Sequence, residues 1–333
     1  MDYDVIVCGA GPAGAMAALT AAQAGLKVAL LEKRCLPRHK PCGGGTPMVM
    51  QQFLWDLAPT AFVESDVTQM RHTWNFSDPY LAEINPEGAD RRYSIWMMQR
   101  PIFDNTLAQQ AAKAGAELKD GVAVRSLEIQ DNGVRVVAQR VKAEGDTSTA
   151  EFTLNASYLI GADGANGITA QAANLRQQRT IAIALEIEHP HTWGQGHADL
   201  RPDVLHLEYG AVPRGYAWVF PKGDHLNIGA GLFRPKSGDS RSSRSIRIEL
   251  QQAIFNYMAS VGLEYQPQQI KFYGHPLPLW NGRQQRHSPD GRVLLAGDAA
   301  GLINPLFGDG ILHAVKSGMI AANCVIEGIP HLY

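Results

Sequence analysis

Residues 9–14 read Gly9-Ala10-Gly11-Pro12-Ala13-Gly14, a G-x-G-x-x-G pattern between the apolar run Val5-Ile6-Val7-Cys8 and the alanine-rich stretch from Pro12 to Ala24. The pattern carries weight because of its surroundings: a strand before it, a helix after it and an acid at the end of the next strand. Gly9 permits the tight turn, Gly11 lets the backbone approach a pyrophosphate, and Gly14 allows close packing of helix on strand. Pro12 suits the first helical turn, where no N–H is required, and Ala13 belongs to the same cofactor-binding set. The free amides and partial positive charge of the helix N-terminus face the phosphates. Gly25 is placed to end the helix. The next strand, Leu26 to Leu31, delivers Glu32 to the adenosine ribose hydroxyls, with Lys33 beside it in the same set.

Two later motifs decide which dinucleotide binds. Gly161-Ala162-Asp163-Gly164 follows the short apolar run Tyr158-Leu159-Ile160, and Gly297-Asp298-Ala299-Ala300-Gly301 follows Arg292 to Ala296. An aspartate at such a strand end can accept from ribityl hydroxyls, which NAD lacks. A helix following Asp298 would aim its N-terminus at the flavin pyrimidine edge and stabilise the charge of reduced flavin. Each motif alone also reads as an ordinary strand-to-helix turn capped by Asp. In this order, behind the first fingerprint, they argue for FAD.

The rest of the chain divides by pattern. Leu107 to Gly115 reads as a helix, and Val122 to Ile129, Val134 to Val141 and Phe152 to Leu154 as strands, with Asp131-Asn132-Gly133 as a hairpin turn. Arg71 to Phe76, Tyr93 to Met97, Ile181 to Ile187, Val204 to Tyr209, Tyr216 to Phe220 and Leu226 to Leu232 are short and often alternating, which predicts an antiparallel sheet. Ser237 to Arg244 reads as a loop, Ser245 to Val261 as an amphipathic helix, and Gly310 to Ile326 as a closing helix. The expected fold is therefore mixed α/β. A discontinuous Rossmann-like FAD-binding domain comprises residues 1–65, 98–165 and 286–333, and a substrate domain built on the antiparallel sheet comprises 66–97 and 166–285.

Composition narrows the partners. The 333 residues carry 30 basic and 32 acidic side chains, a formal net charge of -2 that offers nothing to nucleic acid. The four cysteines are too few and too unevenly spaced for a disulfide framework. The histidines show no metal-ligand spacing, so no metal is expected. Met1-Asp2-Tyr3-Asp4 leads straight into a strand rather than a signal peptide, and no apolar run reaches the ~18 residues of a membrane span. These features place the chain in a reducing cytoplasm, with a peripheral membrane contact left open.

With these motifs in hand, the sequence resembles the flavoprotein group of p-hydroxybenzoate hydroxylase and, within it, the geranylgeranyl reductases. Arg100-Pro101-Ile102-Phe103-Asp104-Asn105-Thr106-Leu107 matches the group's R-x-x-F-D-x-x-L, which implies that Arg100 contacts the ribityl or phosphate part of FAD. The resemblance also implies Arg38 near the FAD phosphates and Val124 near the adenine. Pro37-Arg38-His39-Lys40-Pro41-Cys42-Gly43-Gly44-Gly45 is similar to the reductases' P-x-x-K-P-C-G-G segment, which brings Gly43 and Gly44 to the cofactor. Tyr216-Ala217-Trp218-Val219-Phe220-Pro221, followed by seven residues and Gly229, is similar to their Y-x-W-x-F-P-x7-G signature. Asn304-Pro305 and Gly308-Asp309-Gly310-Ile311 resemble the loop beneath the flavin, which implies cofactor roles for Gly308, Gly310 and Ile311. The family commonly continues Gly-Asp-Gly with a serine and a basic residue, where this chain has Ala165-Asn166-Gly167-Ile168-Thr169.

The chemistry implied is hydride transfer to a carbon–carbon double bond of a hydrophobic, isoprenoid substrate, with NADPH or ferredoxin as electron donor. An isolated prenyl alkene is a poor hydride acceptor unless its other carbon is protonated in step, so an apolar pocket needs one placed acid. Tyr216, Trp218 and Phe220 alternate and so share a strand face; they read either as core packing or as an apolar wall for the substrate. Cys42 admits three readings: small filler beside glycines, proton donor, or redox-sensitive thiol. An aromatic monooxygenase or halogenase is the alternative chemistry, since the Tyr216–Pro221 strand also resembles the halogenases' G-W-x-W-x-I-P. A flavin-binding maturation or partner protein is a third reading.

Overall fold

The structure, a computed structural model, describes residues 1–54, 56–89, 93–141, 150–176, 179–233 and 243–333. Chain contacts gather into two units. One holds Met1–His39, Pro101–Thr180 and Pro278–Tyr333; the other holds Lys40–Arg100 and Ile181–Leu277. Residues 40–65 and 98–100, expected with the dinucleotide-binding part, group with the second unit. The reason is pairing: Gly45–Pro47 and Ser65–Val67 both flank Ile95–Met97 in a small three-stranded sheet. Residues 166–180 and 278–285, expected with the substrate domain, group with the first unit.

The first unit is built on a seven-stranded sheet. Its order runs Glu117–Asp120, Val28–Glu32, Tyr3–Cys8, Glu151–Gly161, Gly133–Arg140 and Val122–Gln130. Val293–Leu295 adds alongside Glu151–Gly161. Val28–Glu32 is buried throughout, and Tyr3–Cys8 everywhere but at Asp4, as strands covered on both faces must be. The two segments read separately from sequence, Phe152–Leu154 and Tyr158–Ile160, are one continuous strand. Its first half pairs antiparallel with Gly133–Arg140, and its second runs parallel to Tyr3–Cys8 and to Val293–Leu295. One strand thereby joins a hairpin to a parallel sheet, which a local pattern cannot reveal.

Two helices close over this sheet. Pro12–Gln23 starts at Gly11 with no side-chain cap, and Ile311–Ile326 starts likewise at Gly310. Small residues let them meet: a Cβ on Gly318 would lie 2.0 Å from the Ala13 carbonyl oxygen. The helix expected from Leu107 begins earlier, at Arg100, and ends at Lys113. The helix expected directly after Asp298 is instead one 3-10 turn, Gly297–Ala300, closed by left-handed Gly301. The long helix begins only at Ile311.

The second unit contains a seven-stranded sheet, Tyr273–Leu279, Thr180–Pro190, His225–Leu232, Gly215–Pro221, Val204–Glu208, Gln69–Trp74 and Ser77–Glu83 in that order. The sheet is not wholly antiparallel, because Val204–Glu208 runs parallel to Gln69–Trp74. Ile95–Met97, expected in it, belongs to the small sheet. The Ser243–Ser260 helix takes in Ser243 and Arg244, which had been read as loop, while 237–242 lie outside the described residues. Its Leu250, Ala253, Ile254 and Tyr257 cover one sheet face through Leu185, Ile187, Ala217, Val219, Ile228 and Ala230. The opposite face is left to other residues.

Candidate active site

In the first unit the fingerprint residues form a cradle shaped by backbone. Gly9 has φ +99, and a Cβ there would sit 2.4 Å from the Ala162 carbonyl oxygen; one on Gly14 would sit 1.8 Å from that of Gly9. Helix and strands therefore approach as closely as bare backbone allows. Pro12, Ala13 and Gly14 are buried in the first turn. Glu32 is buried at the end of its strand and accepts from the Ala10 amide at 3.0 Å and from the Arg34 amide at 3.1 Å. Arg38 reaches Glu32 at 3.2 Å and Asp104 at 3.0 Å, while Lys33 points into solvent. Uncapped helix amides beside a buried carboxylate suit an adenosine pyrophosphate.

The two aspartate motifs flank this cradle on neighbouring parallel strands. Asp163 accepts from the Thr169 amide at 2.9 Å and from the Thr169 hydroxyl, so its carboxylate also braces its own loop. Gly167 is what admits it: a Cβ there would lie 2.0 Å from the Asp163 carboxyl carbon. Gly164 takes φ +79 and Gly297 φ +57, and the Gly297 amide donates to Ser317 Oγ at 3.0 Å. Asp298 stands at the start of its 3-10 turn, within reach of Gly310. Gly308, at φ +68, donates to the Asn304 carbonyl and turns the loop that leads to Gly310 and Ile311. Val124 packs partly buried on the sheet core.

Arg179 ties the two motifs together, and sequence reading missed it. Its guanidinium donates to the carbonyls of Ala165 and Ala299, one beside each motif. Burial lowers its pKa, and so does neighbouring Arg176, while Asp163 and Asp298 oppose that shift. A basic residue ten or more positions past Gly164 was the available signal.

In the second unit, the face of the large sheet away from the helix carries the other candidates in rows. Tyr216 lies opposite Gly231, and Gly231 opposite Ala184; Trp218, Gly229 and Glu186 form the next row, and Phe220, Asn227 and Glu188 the third. Small residues beneath the aromatics give the rings room to lie across the sheet. A Cβ on Gly229 would fall 2.1 Å from the Trp218 ring, which is the physical content of the last glycine in the Y-x-W-x-F-P-x7-G signature. Trp218 Nε1 donates to Asn227 Oδ1 at 2.9 Å, and Tyr216 stacks on Phe233 at 4.7 Å.

The Cys42–Gly44 turn comes down onto that face. A Cβ on Gly43 would lie 2.9 Å from the Phe220 ring and 3.5 Å from Trp218 Nε1. Gly44, at φ +70, leaves no space either, with the Met98 carbonyl oxygen 2.1 Å from a Cβ there. Cys42 is half-buried, and its sulfur accepts from the Gly44 amide at 3.4 Å. Arg100 is buried at the head of its helix.

Two buried charged residues hold this turn, and neither was singled out from sequence. Glu186 Oε1 accepts from the Cys42 amide at 2.6 Å. Lys222 Nζ donates to the Gly43 carbonyl at 2.5 Å and to the Met98 carbonyl at 3.0 Å. Burial raises the Glu186 carboxyl to about 7, opposed by the Cys42 amide, Lys222 and Asn227. Burial likewise lowers the Lys222 ammonium to about 8, opposed by Cys42 and by Glu64, Glu186 and Glu188. The available signals were a lone Glu inside the alternating Ile181–Ile187 run and the lysine directly after Pro221.

Comparison with known proteins places this arrangement. An FAD binding domain family model matches residues 2–326. The digeranylgeranylglycerophospholipid reductase of Methanosarcina acetivorans is 31% identical over 98% of this chain and 76% of its own. The geranylgeranyl diphosphate reductase of Rhodobacter capsulatus is 32% identical over 98% and 75%. The solved structure of a geranylgeranyl bacteriochlorophyll reductase-like protein from Thermoplasma acidophilum aligns with TM-score 0.80 and 27% identity, covering 99% of this chain and 79% of that one. A flavin-dependent brominase, at 18% identity and TM-score 0.69 over 98% of this chain and 79% of its own, shares the fold alone.

Proposed function

Because the chain belongs to the FAD-binding-domain family and has geranylgeranyl reductases among its relatives, we propose that it saturates carbon–carbon double bonds of a prenyl chain. FAD is its cofactor, and it is an FAD-dependent oxidoreductase. The observation that carries the substrate reading is the Cys42–Gly44 turn lying against the Trp218–Phe220 aromatic face. Bound and reduced, FAD supplies a hydride. The residues of this chain supply the rest. Tyr216, Trp218 and Phe220 form an apolar surface for a prenyl chain and exclude water from it. Cys42, at the edge of that surface, donates the proton that an isolated alkene needs on its second carbon. In the first unit Glu32 and the uncapped Pro12 helix would bind the adenosine end, Asp298 and the Gly308–Ile311 loop the flavin end, and Arg38 the phosphate side.

The electron donor in this reading is NADPH or ferredoxin. All four cysteines are unpaired, which supports a reducing cytoplasm. No helix among the described residues is long and apolar enough to cross a membrane. Leu306 and Phe307, 54% and 53% exposed, support peripheral contact with the bilayer that would hold a prenyl lipid.

The test is anaerobic. Flavin in the holoenzyme is reduced chemically and mixed with a geranylgeranyl lipid or diphosphate. Reoxidation is expected, with product mass rising by about two units per bond reduced, as hydride plus proton requires. Inert prenyl substrates together with aromatic compounds that accelerate oxygen uptake would overturn the reading in favour of a monooxygenase or halogenase. A stable flavin with a tight protein partner would favour a maturation role.

A further inference from the structure

Glu186 sits in an unusual place for a carboxyl. It lies in the middle strand row, 6% exposed, opposite Gly229 and across from the Trp218 ring. Its Oε1 is occupied by the Cys42 amide at 2.6 Å, and Asn227, itself held by Trp218 Nε1, bonds the same carboxyl. The amide it holds and the Cys42 sulfur hang from one residue, so thiol and carboxyl share one corner of the aromatic face. Lys222, 2% exposed, spans the Gly43 and Met98 carbonyls on the other side of the turn. Burial of two opposite charges around one turn is costly and weak as a device for stability alone. A function that needs a proton held away from water accounts for it.

We propose that Glu186 is the proton store of the Cys42 turn, reloading the thiol after each proton donation, with Lys222 as the positioning residue that steadies the turn and balances the carboxylate left behind. This rests on the reading of Cys42 as proton donor. The steps balance. The Cys42 S–H bond breaks as a C–H bond forms on the alkene carbon adjoining the one that receives hydride. The resulting thiolate takes the proton of the Glu186 carboxyl, which becomes a carboxylate facing the Lys222 ammonium. Water then restores the proton by way of Glu188, exposed and two residues along the same strand face. The charged groups facing the store are Lys222 and Glu188, while Cys42, Glu64 and Glu188 face Lys222 in turn; burial brings the carboxyl itself to about 7, where it can both hold and release a proton near neutrality.

Glu186→Gln keeps an oxygen for the Cys42 amide and removes only the exchangeable proton, so it separates storage from scaffolding. In the reduced holoenzyme, the first substrate-driven reoxidation uses the proton already on Cys42 and is expected at nearly the wild-type rate in E186Q. Steady-state turnover, which needs reloading, is expected to fall about tenfold, less than the ~10²–10⁴-fold typical of losing a general acid itself. Infrared titration of the resting holoenzyme gives a readout independent of turnover: a protonated-carboxyl C=O band that disappears as pH rises through neutrality, and is missing from E186Q. Equal slowing of both phases in E186Q means a structural role and overturns the proposal, as does unchanged turnover. A wild-type spectrum without the titrating band overturns it whether or not the variant folds. Cys42→Ser locates the failure: a wild-type first reoxidation in C42S overturns the donor reading and the store with it, whereas a slow C42S beside an unaffected E186Q overturns the store alone.

Discussion

At Glu186 a carboxyl occupies an inward-facing strand position that calls for an apolar side chain, and its protonation is coupled to folding. Burial raises its folded pKa from 4.5 to about 7. A raised folded pKa contributes stability that is complete below about 4.5 and is lost as pH climbs through about 7. Lys222 has the opposite sense: lowered from 10.5 to about 8, it contributes stability at high pH that is lost as pH falls through that value. Between these windows both groups are charged and both contributions are at their least. Glu186→Gln abolishes the first loss. Relative to the parent, E186Q is expected to gain about 3 kcal/mol of unfolding free energy as pH rises from about 4.5 to above 7. Denaturant titrations at several pH values check this, and parallel pH profiles for the two proteins would show that Glu186 is not buried as described. A variant more stable yet slower in turnover is what a strained functional site produces.

At the scale of elements, the sheet of the second unit shows why a single strand cannot be read alone. Its two faces were equally consistent with a core, since Tyr216, Trp218 and Phe220 alternate with Ala217 and Val219. The Ser243–Ser260 helix settles which face is which by covering Ala217 and Val219. The aromatic face then needs floor space, and the His225–Leu232 strand supplies it through Gly229 and Gly231. Gly229→Ala places a methyl 2.1 Å from the Trp218 ring carbon. Neither backbone nor a ring anchored to Asn227 yields cheaply, so a loss of ~1–3 kcal/mol is expected, as in other overpacked sites. Denaturant unfolding measures the loss, and near-UV circular dichroism reports the displaced indole. Full stability with an unchanged aromatic spectrum would mean that the ring does not lie across Gly229.

For the whole molecule, the proposed FAD site draws on segments far apart in the chain. The Gly9–Gly14 turn, the Gly161–Gly164 turn and the Gly297–Gly301 turn come together because Glu151–Gly161 lies between Tyr3–Cys8 and Val293–Leu295. In the proposed reading the adenosine and flavin ends would both be served by this one sheet. The purified protein is expected to release FAD, not FMN, when denatured, as chromatography of the supernatant would show. Glu32→Ala should weaken FAD binding by ~1–3 kcal/mol, because ribose hydroxyls and the Ala10 amide lose a buried acceptor. FAD titration of the stripped protein measures it, and unchanged affinity would remove Glu32 from the site.

Sequence alone determined the parts whose physics is local. A G-x-G-x-x-G turn dictates its own backbone, and an apolar run dictates a buried strand, so the strand–turn–helix–strand unit that ends on buried Glu32 was legible from residues 5 to 32. The KPCGG segment and the aromatic signature were legible as motifs, but not what their glycines are for. Only the tertiary structure decided that. It joined Phe152–Leu154 and Tyr158–Ile160 into one strand, delayed the helix after Asp298 to Ile311, and moved residues 40–65 to the second unit, each through pairings between distant segments. It also brought the Cys42 turn to Glu186 and Lys222, both more than a hundred positions further along the chain. Local periodicity carries no information about such a meeting; the burial that makes these charges chemically useful exists only once the sheet has formed around them.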